Sequence, residues 1–358
     1  MPTTSTLAVS ELDFDTIKSS LQTYLKGQTE FSDYDFESST LSILLNVLSY
    51  NTYHNSFYLN MIANEMFLDS AQLRNSVVSR AKMLNYTPRS ARGATAAVDT
   101  IVTPGDSPTS ITVAANTQFT STVNGISYIY VTSQSTSLIS QPNGTFTGTL
   151  NIVEGTPLQH RFTVNTTNPV RYILPNENTD TTSFTVRIQE STSNTSVITY
   201  SLLSDLSSVN SISTIYYLQE NEDNLYEVYF GDDVFGKKPI NGNIVLIDYR
   251  VCNGTATNGA NTFATPDSLG GYSNFTTTTS SVAQGGALQE TIDSIKYNAP
   301  FKYQAQDRLV TMQDYKNIIL SENGDLSSIN VWGGEENDPP IYGKVFVAAK
   351  PTSGSLLS

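Results

Sequence analysis

The residues of this chain whose types could do chemistry are few: two histidines, one cysteine and scattered acidic clusters. A structural or catalytic zinc site draws its ligands from grouped His, Cys and carboxylate side chains. Here His54 and His160 stand far apart, in segments of different periodicity, and Cys252 is the single thiol, so it has no internal disulfide partner. The acidic clusters are Asp232-Asp233, Glu220 with Glu222 and Asp223, and Glu335-Glu336. A glycosidase needs two carboxylates on opposite sides of a sugar, one of them with its pKa raised by burial. Neighbouring side chains on a strand point to opposite faces, and these clusters lie in Gly- and Asn-rich turns, where solvated charge is the ordinary reading. Asp232-Asp233 with turn carbonyls could take a hard cation, but no EF-hand loop surrounds it. No Gly-x-Ser-x-Gly elbow and no phosphate-binding Gly-x-x-x-x-Gly-Lys-Ser/Thr loop is present. The residues therefore predict no catalytic group, no metal ligand and no cofactor, and a protein that is not an enzyme.

Composition narrows the partners. The net charge is −14, only 19 residues are Lys or Arg, and the longest basic run is Lys237-Lys238. Duplex binders displace counterions with clustered Lys and Arg, so nucleic acid is not expected as a partner, and neither is an anionic membrane surface. Residues Met1 to Ser10 lack the basic and apolar regions of a signal peptide, and no apolar stretch is long enough to span a bilayer. Sequons such as Asn143-Gly-Thr and Asn274-Phe-Thr are what a Thr/Asn-rich sequence produces by chance. A soluble, reducing compartment fits best. Charged residues make up 15%, yet 20 Tyr and 15 Phe argue against disorder. The length of 358 residues predicts two or three domains.

Three kinds of periodicity follow along the chain. Residues 11–92 read as helical: Phe14, Ile17, Leu21 and Leu25 recur every three or four positions, and Gly27 supplies a stop. In the next segment, Glu37 to Leu68, the residues Ile43, Val47, Tyr50, His54, Phe57 and Met61 form a heptad-like stripe. A second stripe, Leu41, Leu44, Leu45 and Leu48, covers a neighbouring face. A helix apolar over more than one face must be covered by more than one neighbour. The short helix before it and the one after it, about Leu73 to Leu84, offer limited cover. The six stripe residues are therefore expected to form an inter-subunit helix interface, in a bundle completed by another chain. A closed three-helix domain is the alternative, and His54 is read as a core or interface histidine.

From Ala94 to about Ser280 the pattern has period two. Val98 to Val102, Ile126 to Val131, Phe162 to Val164, Phe184 to Ile188, Tyr226 to Phe230 and Ile244 to Tyr249 read as strands, and Asn-Gly pairs at Asn124, Asn143, Asn241, Asn253 and Asn258 supply tight turns. The Ser/Thr-rich interval Ser191 to Ser213 reads as a loop or as a break between two β modules. Further on, Leu288, Ile292 and Ile295 make a helical stripe ended by Pro300. Thr311-Met-Gln-Asp314 reads as a variant capping box stapled by Val310 and Tyr315, with Gly324 as the stop. Strands follow at Ser328 to Trp332 and Lys344 to Ala349, separated by the turn-rich Gly333 to Tyr342. The predicted class is multidomain α+β: an N-terminal helical bundle segment (1–92), a central, mostly antiparallel β region (93–284, in one or two modules with a break near 191–213), and a small C-terminal α+β module (285–358).

Specific runs accompany these patterns. They include Gly285-Gly286-Ala-Leu-Gln-Glu290-Thr291, Ala299-Pro300, Asp307-Arg308-Leu-Val310-Thr311-Met-Gln-Asp314-Tyr315 and Val331-Trp332-Gly333-Gly334-Glu335. Upstream lies Tyr229-Phe-Gly-Asp232-Asp-Val-Phe-Gly236-Lys-Lys-Pro239, with Gly242-Asn and Asp248-Tyr249 after it. The chain closes with Gly343-Lys-Val-Phe-Val-Ala-Ala-Lys350-Pro351. In this order they resemble the baseplate J-like family, in particular the large wedge subunit of T-even-like contractile phages. The segment from Phe36 through Asn51-Thr-Tyr-His-Asn-Ser-Phe-Tyr58 to Arg89 is similar to that subunit's helical region. The resemblance is strongest over 226–351, fair over 34–92 and weak between them.

The resemblance implies a non-enzymatic part of the baseplate wedges in the virion, assembled in the host bacterial cytoplasm. It further implies pairing with a second copy and a helical bundle shared with another wedge protein. It also implies a ring around the tail hub that carries the sheath-initiating wedge protein. Members of the family usually continue beyond the position of Ser358 into domains that help close the ring, which leaves self-pairing through that part open. Two rival readings are a carbohydrate-binding adhesin or tail fibre, from the Asn/Thr- and Tyr-rich β region, and a cell-wall hydrolase using the acidic clusters.

Overall fold

In the computed structural model the described residues are 10, 13–30, 40–165, 171–203, 209–221, 223–306, 308–322 and 326–351. Phe36, Glu222, Asp307, Gly324 and Ser358, named above, lie outside them. The chain divides into two compact units, one formed by Met1–Tyr86 with Ile292–Ala299 and the other by Thr87–Thr291 with Pro300–Ser358.

The helical unit begins with α1 (Phe14–Lys26), whose N-cap Asp13 accepts a hydrogen bond from the Thr16 amide at 2.7 Å. Gly27 ends the helix as expected, its amide donating back to the Thr23 carbonyl. The long helix α2 (Thr40–Glu65) and the short α3 (Arg74–Met83) follow. Val77, Val78 and Ala81 of α3 make a small core with Ala71, Tyr86 and two residues from far along the chain, Ile295 and Ala299. Those two belong to α4 (Ile292–Ala305), which contains Pro300 rather than ending at it. A proline inside a helix removes one backbone hydrogen bond and crowds the preceding turn. Burial of Ile295 and Ala299 before the proline, and of Ala305 after it, holds both halves helical. The two compact units part at this proline.

The second unit carries two sheets. The first contains β1 (Thr95–Val102), β2 (Ile111–Val113), β3 (Gln118–Val123), β4 (Ile126–Thr132), β5 (Thr136–Ser140), β6 (Phe146–Glu154) and β14 (Phe275–Gln284). Its order is β14-β1-β6-β4-β3, with β5 on β6 and β2 on β5. Alternation along the strands turns Val98, Ile111, Phe119, Tyr130, Leu150 and Ile152 into its core. Asn124 and Gly125, with φ of 50° and 81°, make the tight turn that joins β3 to β4.

The second sheet contains β7 (Thr156–Thr163), β8 (Tyr172–Ile173), β9 (Thr179–Gln189), β10 (Val197–Leu202), β11 (Ile215–Glu220), β12 (Tyr226–Phe230) and β13 (Ile244–Val251), in the order β7-β13-β9-β10-β11-β12-β8. Its core includes Leu174, Val186, Val228, Val245 and Ile247. Only β10 and β11 pair in parallel, and the other named pairs are antiparallel.

The chain passes from the first sheet to the second at Gly155, between β6 and β7. The described residues of the interval 191–213 include β10, which pairs with β9 and β11 inside the second sheet and has Thr199 and Ser201 exposed on it.

At the C-terminal end, α5 (Met312–Glu322) packs on β15 (Leu326–Gly333), which pairs with β16 (Val345–Pro351). The capping box forms as expected: the Thr311 amide donates to Asp314 at 2.7 Å, and the Asp314 amide donates to Thr311 Oγ1 at 3.2 Å. The mixed α+β, multidomain class expected from the periodicities is the one observed.

Candidate assembly interface

The helix α2 carries large apolar side chains over much of its surface, but the face it buries is mostly small or polar. Inside the helical unit the buried residues are Leu45, Ser49, Ser56 and Asn60. These fall on a narrow arc, and three of the four are small or polar. Small side chains let α1 approach closely, with Ile17 buried on its side. Asn60 is fastened to Ser10 by three hydrogen bonds: the Ser10 amide donates to Oδ1 at 3.2 Å, and Nδ2 donates to the Ser10 carbonyl and to Ser10 Oγ, both at 3.1 Å. Ser10 Oγ also donates to the Ser56 carbonyl at 3.2 Å. Among the described residues the Ser49 hydroxyl is buried with no hydrogen-bond partner.

The heptad-like stripe lies on the opposite side, roughly 130° round the helix at ~100° per residue. Ile43, Val47, Tyr50, Phe57 and Met61 are all solvent-exposed, from 43% at Met61 to 66% at Ile43. His54 is half-buried, with the Tyr50 ring at 4.3 Å in an edge-on arrangement and the Tyr53 ring at 5.6 Å. The second stripe splits: Leu45 turns inward, Leu41 is half-buried, and Leu44 and Leu48 face solvent. The exposed surface is wider than the sequence stripe, because Tyr58, Leu59, Ile62, Met66 and Phe67 also face out. Their signal was available: Tyr58, Ile62 and Met66 follow Leu44 and Leu48 along one side of the helix at helical spacing. Contiguous exposed apolar surface is a feature that protein contact sites share.

The acidic clusters have other work. Asp232 Oδ1 accepts from the amides of Val234 and Phe235, both at 3.0 Å, and these backbone donors hold its carboxyl below the usual carboxylate range. Asp233, at φ 70°, accepts from the Lys238 amide at 2.8 Å. Both carboxylates shape the turn, and the lowered carboxyl of Asp232 is the opposite of what a general acid needs. Glu220 is buried while Asp223 is exposed, and Glu335 and Glu336 sit in a short 3₁₀ turn. His160 lies on β7 with its ring 4.4 Å from Phe162. Cys252 is buried, and burial pushes its thiol up to about 12. Among the described residues, no cluster of three or more His, Cys, Asp or Glu could hold a metal. No helix among them is long and apolar enough to cross a membrane.

Apart from Glu220, the buried carboxylates lie outside the acidic clusters read from the sequence. Glu227 pairs with Arg171 at 2.9 Å, Asp180 lies 3.8 Å from Arg250, and Glu290 accepts from the Arg89 amide at 3.0 Å. Glu154 is fully buried at the end of β6, and burial raises its carboxyl above its ordinary range, an effect that hydrogen bonds from Asn253 partly offset. In the sequence, Glu154 stands before a glycine, and nothing near it in the chain marks it as buried.

Comparison with known proteins bears on the same segments. Residues 13–86 match the family described as the helical domain of baseplate wedge protein gp6-like. Residues 311–358 match that described as C-terminal domain I of baseplate structural protein gp6. A relative, baseplate wedge protein gp6 of Enterobacteria phage T4, is 28% identical over 373 residues, covering 96% of this chain. The chain spans 54% of that relative's length. A solved chain from the 6-fold symmetrised baseplate of the anti-feeding prophage aligns over 90% of this chain and 67% of its own, at 12% identity and a TM-score of 0.31. That score is too low to establish a shared fold. Through the family matches of its helical region and C-terminal end, and through a relative aligned over 96% of its length, the chain is similar to T4-like baseplate wedge proteins.

Proposed function

We propose that this chain is a structural, non-catalytic subunit of a phage contractile-tail baseplate wedge, located in the virion and assembled in the host bacterial cytoplasm. The observation that carries the reading is the inverted burial of α2, which packs Ser49, Ser56 and Asn60 inward and leaves Ile43, Val47, Tyr50, Phe57 and Met61 outside. Leaving large apolar side chains in water forgoes about 1.5–3 kcal/mol each relative to burying them. A second set of helices would recover that energy.

The finer assignment is to the baseplate J-like family, supported by the ordered motifs from Tyr229 to Pro351. In this reading the region 1–92 is the assembly region, and Ile43, Val47, Tyr50, His54, Phe57 and Met61 form its inter-subunit seam. The β region 93–284 and the module 285–358 act as a stiff arm between neighbours. The partners are a second copy, another wedge protein that shares the bundle, the sheath-initiating wedge protein and the tail hub. Obligate interfaces of this kind bury on the order of 2,000–5,000 Å² with an apolar centre.

Co-expression with the other wedge proteins of the same phage, followed by native mass measurement, tests the reading. A stable hetero-complex supports it. A chain that stays monomeric in the presence of every candidate would overturn it.

A further inference from the structure

We propose that Glu154 is a latch that fixes the angle between the two β-sheets of the second unit. Two successive stretches carry the chain across between the sheets. It leaves the first through Glu154 and Gly155 into β7, and it returns from β13 through Cys252, Asn253 and Gly254 towards β14. The Glu154 side chain joins the outgoing stretch to the returning one. Its carboxylate accepts from the Asn253 backbone amide at 3.1 and 3.2 Å, from Asn253 Nδ2 at 2.7 Å and from Thr257 Oγ1 at 3.5 Å.

The surroundings make this a built feature. Glu154 is fully buried, and its own amide donates to the Ala94 carbonyl at 2.8 Å. Gly155, at φ 134°, donates to the Ile129 carbonyl in the first sheet, and a β-carbon there would lie 3.0 Å from the Val251 carbonyl oxygen in the second. Thr257 is held in turn by Tyr130, whose hydroxyl donates to the Thr257 carbonyl at 2.8 Å from the core of the first sheet. The Asn253 amide and Nδ2 can only donate, so the site needs an acceptor, while the single proton of the Thr257 hydroxyl is shared between Glu154 and the Gly254 carbonyl, 3.0 Å away. A buried carboxylate is a costly way to add stability alone, since apolar packing of similar volume often does as well. What it supplies here is a single geometry, because donors on one crossing converge on an acceptor carried by the other.

The experiment measures the distance between the sheets in the full chain. Spin labels go on Thr199→Cys in β10 and Thr276→Cys in β14, both exposed positions, while the buried Cys252 stays unlabelled. Electron–electron distance measurement gives a narrow distribution in the parent. The latch requires the distribution to broaden at least twofold in Glu154→Gln, which places an amide donor against existing donors, and to broaden in Asn253→Ala. An unchanged distribution in both folded variants would overturn the proposal, and so would a lowered melting midpoint with no broadening. Amide exchange in the unsubstituted chain gives an answer even if neither variant folds. The Asn253 amide should exchange as slowly as those of β6 and β13, and exchange as fast as in exposed turns would refute the latch.

Discussion

Replacing Phe57 by Asp places a carboxylate near the middle of the outward arc of α2, and its effects on folding and on assembly should separate. Phe57 is 46% exposed, so about half of its surface is already covered within the chain. Full burial of a phenylalanine is worth roughly 1.5–3 kcal/mol. Loss of the covered half should destabilise the helical unit by about 1 kcal/mol, and helix propensity adds little because Asp and Phe rank close together. In a bundle the remaining half is also buried, so the variant loses about another 1 kcal/mol there. It must also bury an unpaired carboxylate, whose effective penalty is several kcal/mol. The combined loss of at least ~3 kcal/mol corresponds to roughly a hundredfold weaker association. Phe57→Ala, which removes only the apolar part, should weaken association about tenfold or less. Pull-down titration or native mass spectrometry with the partner wedge proteins reads the affinity, and urea unfolding followed by circular dichroism reads the fold. Association of the Asp variant within about threefold of the parent would refute the seam.

The remaining expectations concern the fold. Ser49→Ala removes a buried hydroxyl that has no partner among the described residues. It should leave the unfolding midpoint of the helical unit unchanged or raise stability by up to about 1 kcal/mol, and a clear loss would mean that the hydroxyl is bonded. Asp314→Ala breaks the capping box of α5 and should loosen the first turn of that helix, seen as faster amide exchange at Thr311 and at position 314. Gly93→Ala should fail to fold or be severely destabilised, because a β-carbon there would lie 2.0 Å from the Glu154 carbonyl oxygen; normal solubility and melting would contradict that approach. Burial raises the Glu154 carboxyl above its ordinary range, nearby Asp180, itself facing Arg250, adds to the rise, and the hydrogen bonds from Asn253 and Thr257 offset part of it. Relative to the unfolded chain, the fold therefore holds the proton more tightly. The stability this gives is fully present below the unfolded-state pKa and is lost as pH rises through the folded one. Urea titrations across the weakly acidic range should show that loss in the parent and not in Glu154→Gln, and parallel pH profiles would refute it.

Legibility in the sequence followed how local the cause was. The N-terminal helix, its stop at Gly27, the Asn124-Gly125 turn and the Thr311–Asp314 box each depend on residues within a few positions of one another, and each forms as read. The stripe from Ile43 to Met61 was legible because helical spacing needs no tertiary knowledge. What escaped depends on distant partners. Pro300 looked like a terminus, yet Ile295 and Ala299 are held by α3, more than two hundred residues earlier. The change of sheet at Gly155 has no composition signal. Glu154 is a buried acceptor only because the return crossing brings Asn253 and Thr257 to it.

Footprinting of α2 side chains with a reactive carbene, in the free chain and in the assembled wedge, tests the central claim most directly. Labelling of Ile43, Val47, Tyr50, Phe57 and Met61 should be high in the free chain and fall severalfold on assembly, while exposed β-region residues such as Ile139 keep theirs. Equal labelling of the five in both states would show that assembly proceeds without the outward face of α2, and would contradict the account.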